Sequence, residues 1–137
     1  MLDTNIYCGF AAGLPAVVNA IIDYGQDLFL PAVVMGELCY GFLKGTKREY
    51  NEKKLAEIIR KLQIGIIDIT GDVARKYALI YLSLIERGRK IPLNDVWIAA
   101  CCMEIGGTLL TMDKHFSDVN QIEVIILNPD GTMRGGD

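Results

Sequence analysis

The stretch IPLNDVWIAACCM, residues 91–103, contains a single charged residue, Asp95, at the head of a long apolar run. Asn94 is a residue type that caps helices, and Leu93 with Ile98 has the spacing of a hydrophobic staple around such a cap. The segment therefore predicts a helix whose first turn carries one isolated acid. The helix dipole alone can explain an acid at this position, so a function for Asp95 needs further observations.

Three other acids are isolated in the same manner. Asp3 follows a very short apolar start in LDTN, Glu37 is the only charged residue in 28–43, and Asp113 ends TLLTMD. Each has an ordinary structural explanation: Asp3 can cap the next helix, Glu37 can face water and Asp113 can belong to a turn. Water-facing helices usually carry more charge than these segments do. The four acids together therefore indicate a shared site.

Acids that converge need protons or a cation. Two carboxylates ~4 Å apart repel by about 4 kcal/mol at an effective dielectric constant of 20, and such a group either takes up protons or binds a divalent metal. The chain has one histidine, His115, and no CxxC pair, so we expect any metal to be held by oxygen atoms. Oxygen ligation favours Mg²⁺ or Mn²⁺, which suit reactions at phosphate groups.

Length and composition suit one compact domain. With 137 residues, a net charge of −3 and a pI of about 5.1, the chain does not coat nucleic acid through positive charge alone. The longest purely apolar stretch, residues 96–103, is too short for a membrane span and the N-terminus lacks a signal-type segment, so we expect a cytoplasmic protein with no membrane contact. The four cysteines are expected to be buried small hydrophobic residues: Cys8, Cys39, Cys101 and Cys102.

Short apolar runs alternate with helical patterns, which predicts an α/β fold with a mainly parallel sheet covered by helices. The runs DLFL, IGIIDI, GTLLT and EVIIL are the predicted strands. Pro15 and Pro31 are expected at first-turn positions of the helices that follow them. A helix over 72–87, ending at Gly88, is predicted by an apolar stripe at i, i+3, i+4 and i+7, which consists of Tyr77, Ile80, Tyr81 and Leu84. The first and last of the isolated acids then follow the carboxyl ends of strands, where open parallel sheets bind ligands.

The segment 44–61 is basic although the whole chain is acidic. It contains seven basic and three acidic residues, a net charge of +4. An ordinary solvated helix explains it, with i,i+4 pairs joining Glu49 to Lys53 and Glu57 to Lys61. A phosphate-binding face is the alternative, and only the neighbouring site can decide between them.

Four motifs, LDTN, GEL, NDVWIAA and LLTMDKHF, occur in an order and at intervals that resemble the PIN-domain ribonucleases, specifically toxins of the VapC type. The resemblance implies a three-layer α/β/α fold with a mainly parallel central sheet, and it extends to about residue 127. We therefore expect a single PIN domain over 1–127 and a loose C-terminal tail over 128–137. The activity it implies is Mg²⁺- or Mn²⁺-dependent endoribonuclease cleavage of RNA, by the toxin of a toxin-antitoxin pair.

The resemblance also implies roles for individual residues. The isolated acids match the family carboxylates that hold one or two metal ions, and are expected to be catalytic and metal-binding: Asp3, Glu37, Asp95 and Asp113. Asn5 and Thr111 match polar residues that line the same site. We expect basic residues to hold the RNA backbone without reading bases: Lys44, Lys47, Arg48, Lys53, Lys54, Arg87, Arg89 and Lys90. Family membership further implies a homodimer and a cognate antitoxin that covers or enters the site.

Two departures from the family pattern affect the site. Only Met1 and Leu2 precede Asp3, fewer residues than members usually have, so we expect a curtailed central strand or a true start upstream. Members often carry a further aspartate two residues after the fourth acid, whereas this chain has His115 there. Its expected role is that of a surface loop histidine, with contact to a phosphate or a proton as the alternative.

Two other functions remain open at this point. A receiver-like signalling domain also binds Mg²⁺ through acids at strand ends, but it should have an adjacent acidic pair after its first strand and a lysine after its last. LDTNIY and EVIILNPDG lack these features. A PIN fold that binds RNA without cleaving it is the second alternative, and the four intact acids count against it.

Overall fold

A computed structural model describes residues 1–128 and residue 130 of the chain. Its helices are α1 (Thr4–Ala11), α2 (Pro15–Tyr24), α3 (Ala32–Lys44), α4 (Arg48–Lys61), α5 (Gly71–Glu86) and α6 (Leu93–Glu104). Its strands are β1 (Phe29–Pro31), β2 (Gly65–Ile67), β3 (Thr108–Thr111) and β4 (Glu123–Ile126), and a 3₁₀ helix, Lys114–Asp118, follows β3. The four predicted strands are confirmed, each within two residues of its predicted bounds.

The first residues of the chain join two pairs of parallel strands into one sheet. β1 pairs with β2 and β3 pairs with β4, both in parallel. Between them, the amide of Leu2 donates to the carbonyl of Phe29 at 2.9 Å, and the amide of Leu110 donates to the carbonyl of Met1 at 2.9 Å. Leu2 also forms a parallel bridge with Leu110. The order is therefore β2, β1, the N-terminal residues, β3, β4, which confirms the α/β prediction with a central strand reduced to one bridge.

Helix α6 runs through the core and is apolar on all sides. Six of its residues have 0% exposure: Val96, Ile98, Ala99, Ala100, Cys101 and Cys102. Helix α5 covers one face of it, and the rings of Trp97 and Tyr77 stack across this contact with centroids 3.9 Å apart. An apolar helix that is covered all round needs no polar face, which accounts for the run that follows Asp95.

The start of α6 differs from the prediction. Asn94 is not the N-cap, because the helix begins at Leu93 and Pro92 occupies the cap position without a side-chain cap. Proline suits a helix start for two reasons. Its φ of −54° is already close to the helical value, and the N–H that it lacks would have had no partner within the helix. The carbonyl of Pro92 accepts from the amide of Asp95 at 3.0 Å. Leu93 is 54% exposed, so the predicted staple with Ile98 does not form.

Other helix boundaries follow the sequence more closely. Pro15 is the first residue of α2, as predicted, whereas Pro31 ends β1 and stands at the N-cap of α3 rather than in its first turn. Helix α5 agrees with the predicted helix and buries Ile80 and Leu84 of its stripe. Gly88 follows it with φ of 66°, a left-handed conformation that glycine adopts without strain.

Two predictions about surface and core are wrong. Cys101 and Cys102 are buried, but Cys8 and Cys39 are exposed, because they lie on outward sides of α1 and α3. The basic helix α4 is largely solvated, as expected, and buries Leu55. Its ion pair joins Arg48 to Glu52 at 2.8 Å. Among the described residues neither of the two pairs predicted for this segment is formed.

Within the described residues no single helix is long and apolar enough to cross a membrane. In the part of the chain that the structure describes, one pair of helices, α1 and α2, would together be long and apolar enough, but the two are bent by 114° at their junction. Both contribute to the core, through Ile6 and Tyr7 from α1 and Val17 and Ile21 from α2. The predicted tail, residues 128–137, lies outside the described residues except for Asn128 and residue 130.

Candidate metal centre

The four isolated acids lie at or near the carboxyl end of the parallel sheet. Asp3 follows the bridge at Leu2, and Asp113 lies two residues beyond the end of β3. Glu37 belongs to α3, which leaves the end of β1, and Asp95 is in the first turn of α6. Helices that follow or precede parallel strands begin at this edge, so the topology itself directs the acids to one crevice.

Asp3 is held by a set of hydrogen bonds in a nearly closed environment. Its side chain is buried, with the residue 5% exposed. The Thr111 hydroxyl donates to its Oδ2 at 2.6 Å, and the Asn5 side-chain amide donates to the same atom at 3.3 Å. The amide of Thr4 donates to Oδ1 at 2.8 Å, so Asp3 also caps α1. The capping alternative and the site alternative are therefore compatible.

Asn5 and Thr111 tie the loop after β3 to the start of α1. The side-chain oxygen of Asn5 accepts from the amide of Met112 at 3.0 Å. The hydroxyl of Thr111 accepts from the amide of Asp113 at 2.9 Å while it donates to Asp3. Thr111 is fully buried. These two polar residues thus fix the positions of Asp3 and Asp113 relative to each other.

Thr4 is a site residue that the sequence interpretation missed. Its hydroxyl donates to Oε1 of Glu37 at 3.1 Å, across 33 positions of the chain. The contact requires α1 to pack against α3, so no local pattern reveals it. The one signal for Thr4 in the sequence is its position: it carries a hydroxyl and directly follows Asp3, the acid that caps α1.

Among the described residues, Asp95, Asp113 and His115 form a group of possible metal ligands. One ligand atom from each lies within 4.8 Å of the others. Oδ2 of Asp95 is buried and has no hydrogen-bond partner. Asp113 Oδ1 accepts from the backbone amide of His115 at 2.9 Å and lies 3.0 Å from its Nδ1. A buried carboxylate oxygen without a partner is costly, so this atom marks where a cation fits.

Three carboxyl groups of the crevice have raised pKa values, and burial is the largest cause for each of them. Burial, then repulsion from Asp113, Asp3 and Glu37, raises the pKa of Asp95 to about 7, while His115 acts in the opposite direction. Burial also raises the pKa of Asp3, against the hydrogen bond from Thr111. The pKa of Glu37 is raised by burial and, to a smaller extent, by Asp3. The structure therefore brings together all four acids that the sequence singled out.

Several basic residues expected on the RNA path are engaged elsewhere in the protein. Lys54 donates to the carbonyl of Ala11 at 2.6 Å, and Arg87 donates to the carbonyl of Asp118 at 2.6 Å. Arg48 pairs with Glu52, and Lys44 lies 5.2 Å from the ring centre of Tyr40. The others are exposed: Lys47, Lys53, Arg89 and Lys90. The basic set thus divides into residues with internal contacts and residues that face solvent.

The parallel sheet with acids at its carboxyl end corresponds to a known family. The model of the PIN domain family matches residues 1–122. The chain therefore belongs to the PIN-domain family, which confirms the expected fold.

Its relatives within that family are VapC ribonucleases. Ribonuclease VapC2 of Rickettsia felis is 30% identical over 131 residues, which cover 93% of this chain and 94% of VapC2. Ribonuclease VapC5 of Mycobacterium tuberculosis is 25% identical over 128 residues, 91% of this chain and 93% of VapC5. The crystal structure of VapBC2 from Rickettsia felis bound to a DNA fragment from their promoter contains a chain that is 26% identical, with a TM-score of 0.81 and coverage of 90% of this chain and 95% of that chain.

Proposed function

We propose that the chain is a divalent-metal-dependent endoribonuclease and the toxin of a toxin-antitoxin pair. The observation that carries the proposal is the buried, unpartnered Oδ2 of Asp95 in a crevice shared with three other carboxylates. Membership of the PIN-domain family and the ribonuclease relatives supply the reaction class. The receiver-like alternative loses its basis, because the chain belongs to a different family.

The residues in the crevice fit a cation with oxygen ligands. Asp95 and Asp113 offer carboxylate oxygens close together, and Asp3 and Glu37 add negative charge from the neighbouring elements. Mg²⁺ or Mn²⁺ is the ion we expect to be held by these four acids. When bound, such an ion offsets their repulsion and acts as a Lewis acid in phosphodiester hydrolysis.

Hydrogen bonds from neighbouring side chains position the carboxylates of this site. Thr111 and Asn5 hold the carboxylate of Asp3 by hydrogen bonds, and Thr4 orients the carboxylate of Glu37. Burial and the neighbouring carboxylates raise the pKa of Asp95 to about 7, so this carboxyl would be partly protonated near neutral pH without a cation and would lose its proton when a cation binds. Partial protonation would reduce the repulsion among the four acids in the metal-free protein.

Exposed basic residues elsewhere on the surface would hold the RNA backbone. Lys47 and Lys53 belong to the segment around α4, and Arg89 and Lys90 follow α5. Such contacts position RNA through its phosphates and carry no base recognition. The four basic residues with internal contacts are weaker candidates, because binding RNA would compete with contacts that they already make.

A cognate antitoxin is the protein partner that we propose. The matched VapBC2 structure is described as a complex bound to promoter DNA, and its matched chain is covered over 95% of its length.

A homodimer is proposed as well, supported by an apolar surface of α5 on which Leu79, Leu82 and Ile85 are 59%, 54% and 40% exposed. We further propose that residues 1–127 act as one domain and that the protein works in the cytoplasm.

The test compares Asp95→Asn with a matched acid elsewhere. Asp72 also lies in the first turn of a helix, α5, and is exposed. Purified wild type, Asp95→Asn and Asp72→Asn are incubated with a mixed cellular RNA pool, without antitoxin, in Mg²⁺, Mn²⁺ or EDTA. We expect cleavage by wild type and Asp72→Asn in either metal, and a loss of at least ~100-fold for Asp95→Asn. Wild-type cleavage by Asp95→Asn would remove Asp95 from the catalytic site, and no metal-dependent cleavage by the wild type would leave the non-catalytic RNA-binding module as the better function.

A further inference from the structure

We propose that His115 is a nitrogen ligand of the metal and makes the site prefer Mn²⁺ to Mg²⁺. The inference rests on the proposed function, in that it takes the crevice to hold a divalent cation. It departs from the all-oxygen ligand set that the four acids alone define. The first observation is that one ring nitrogen of His115 lies within 4.8 Å of carboxylate oxygens of Asp95 and Asp113.

The position of the His115 ring depends on its contact with the neighbouring residue Asp113. Its backbone amide and its Nδ1 both lie near Oδ1 of Asp113, at 2.9 Å and 3.0 Å. The backbone contact is the N-cap hydrogen bond of the 3₁₀ helix, with Asp113 as the cap. The separate contact of Nδ1 places the ring, whose side chain is 51% exposed, against the same carboxylate.

The contact to Asp113 also shows which ring nitrogen faces the carboxylates. Nδ1 lies 3.0 Å from Oδ1 of Asp113. In the neutral ring one nitrogen carries the proton and the other carries a lone pair, so the tautomer with its proton on Nε2 directs the lone pair of Nδ1 toward the Asp113 carboxylate. A cation at this point would be bound by Nδ1 and Asp113 together.

The ligand chemistry then decides between the two ions. Mg²⁺ prefers oxygen ligands and keeps several waters, whereas an imidazole nitrogen suits transition metals. Replacing a carboxylate at this position by a neutral ring also removes one negative charge, which weakens the attraction for Mg²⁺ more than it weakens binding of an ion that accepts nitrogen. His115 would therefore act as a residue that determines metal specificity.

A spectroscopic test is unusually direct here, because His115 is the only histidine in the sequence. The protein must be purified without a histidine tag. Electron spin-echo measurements on bound Mn²⁺ detect ¹⁴N coupling from a coordinated imidazole, so any such signal comes from this residue. Calorimetric titration with Mn²⁺ and with Mg²⁺ gives the Kd ratio for the same samples.

The variants separate the ligand from its surroundings. We expect His115→Ala to lose the ¹⁴N signal and to bind Mn²⁺ about tenfold more weakly, with less than a twofold change for Mg²⁺. His115→Asp should lose the signal and bind Mg²⁺ more tightly, which lowers the preference for Mn²⁺. Ser117→Ala is the matched control, because Ser117 lies in the same 3₁₀ helix and donates only to the carbonyl of Lys114.

The outcomes distinguish this inference from the proposed function. Mn²⁺ that binds to the wild type without ¹⁴N coupling, at an unchanged Mn²⁺ to Mg²⁺ ratio in His115→Ala, overturns the inference and leaves the metal site intact. His115 would then be assigned to a phosphate or a proton instead. No binding of Mn²⁺ or Mg²⁺ to the wild type would overturn both.

Discussion

The hydroxyl of Thr111 lies 2.6 Å from Oδ2 of Asp3, although 108 positions separate the two residues in the chain. Thr111 ends β3, and Asp3 follows the bridge that places the first residues in the middle of the sheet. The same hydroxyl accepts from the amide of Asp113 at 2.9 Å. One buried side chain therefore connects the acids contributed by two neighbouring strands.

Removing this hydroxyl should weaken the fold and the site together. Thr111→Val keeps the shape but leaves the Asp113 amide without its partner and removes one of the donors to the Asp3 carboxylate. Unmet buried polar groups cost roughly 1–3 kcal/mol, so we expect a loss of that size in the free energy of unfolding, measured in urea. Thr108→Val is the control on the same strand, since Thr108 donates to exposed Glu123 at 3.2 Å, and it should change stability by less than about 0.5 kcal/mol. Equal stability of the two variants would contradict the role of Thr111.

Thr4 should affect metal binding more than stability. Thr4→Val removes the donor to Glu37 but keeps the backbone hydrogen bond from residue 4 to Asp3. Loss of a side chain that orients a ligand typically weakens metal affinity by about 10–100-fold, and we expect Mn²⁺ titration to reveal a change in that range. Thr4→Ser keeps the hydroxyl and should restore most of the affinity. A similar loss in the serine variant would indicate a packing effect instead.

The metal-free protein should lose stability as the pH rises from about 4 to about 7. The pKa of Asp95 is raised in the folded protein from its ordinary value of 3.8 to about 7, so the folded state binds a proton that the unfolded state has already released. Stability is then highest below the ordinary pKa and decreases until Asp95 is ionised in both states. In urea unfolding with EDTA, the contribution of Asp95 to the slope should stay below about 1.4 kcal/mol per pH unit, the limit for one proton, because Asp95 is partly exposed.

Comparison with Asp95→Asn isolates this contribution. Asp3 and Glu37 also have raised pKa values and contribute a slope of the same sign in both proteins. The difference in stability between wild type and variant should therefore grow in favour of the variant up to pH 7 and then level off. A difference that does not vary with pH would mean that Asp95 is ionised normally in the folded protein.

Two adjacent lysines should respond differently to the same substitution. Lys54 donates to the carbonyl of Ala11 at 2.6 Å, whereas Lys53 is exposed. Lys54→Met should cost roughly 1 kcal/mol of stability through the lost hydrogen bond. Lys53→Met should leave stability unchanged. Introduced into a catalytically inactive variant, it should weaken the binding of all RNA sequences alike and reduce the slope of log affinity against log salt concentration by about 0.7. Identical RNA affinity for Lys53→Met and its parent would exclude Lys53 from the RNA path.

The parts of the fold that the sequence predicted are those with local signals. The four strands, the helix α5 and the apolar helix α6 are each specified by residues that are close in sequence. The grouping of Asp3, Glu37, Asp95 and Asp113 was also predicted, because parallel strands and their helices bring such residues to one edge of the sheet. These predictions depend on topology and not on side-chain detail.

The parts that could not be predicted depend on which surfaces meet. Whether Cys8 and Cys39 are exposed or buried depends on which sides of α1 and α3 face the core, and this is determined by how the two helices pack. The contact between Thr4 and Glu37 depends on the same packing. At the start of α6 the sequence favoured Asn94 as the cap, but the cap position lies two residues earlier, at Pro92, and helix ends often differ by this amount from what local preferences indicate.

The pairing of the first residues with Leu110 and Thr111 has a consequence for biosynthesis. Asp3 leaves the ribosome before its hydrogen-bond donor on β3, which lies 108 positions later in the chain. Contacts between such distant residues form late in folding, because the intervening chain must first be ordered. A nascent chain that stops before Thr111 therefore cannot hold Asp3 in place, and the acids of the crevice reach their final arrangement only after the segment between them has been translated.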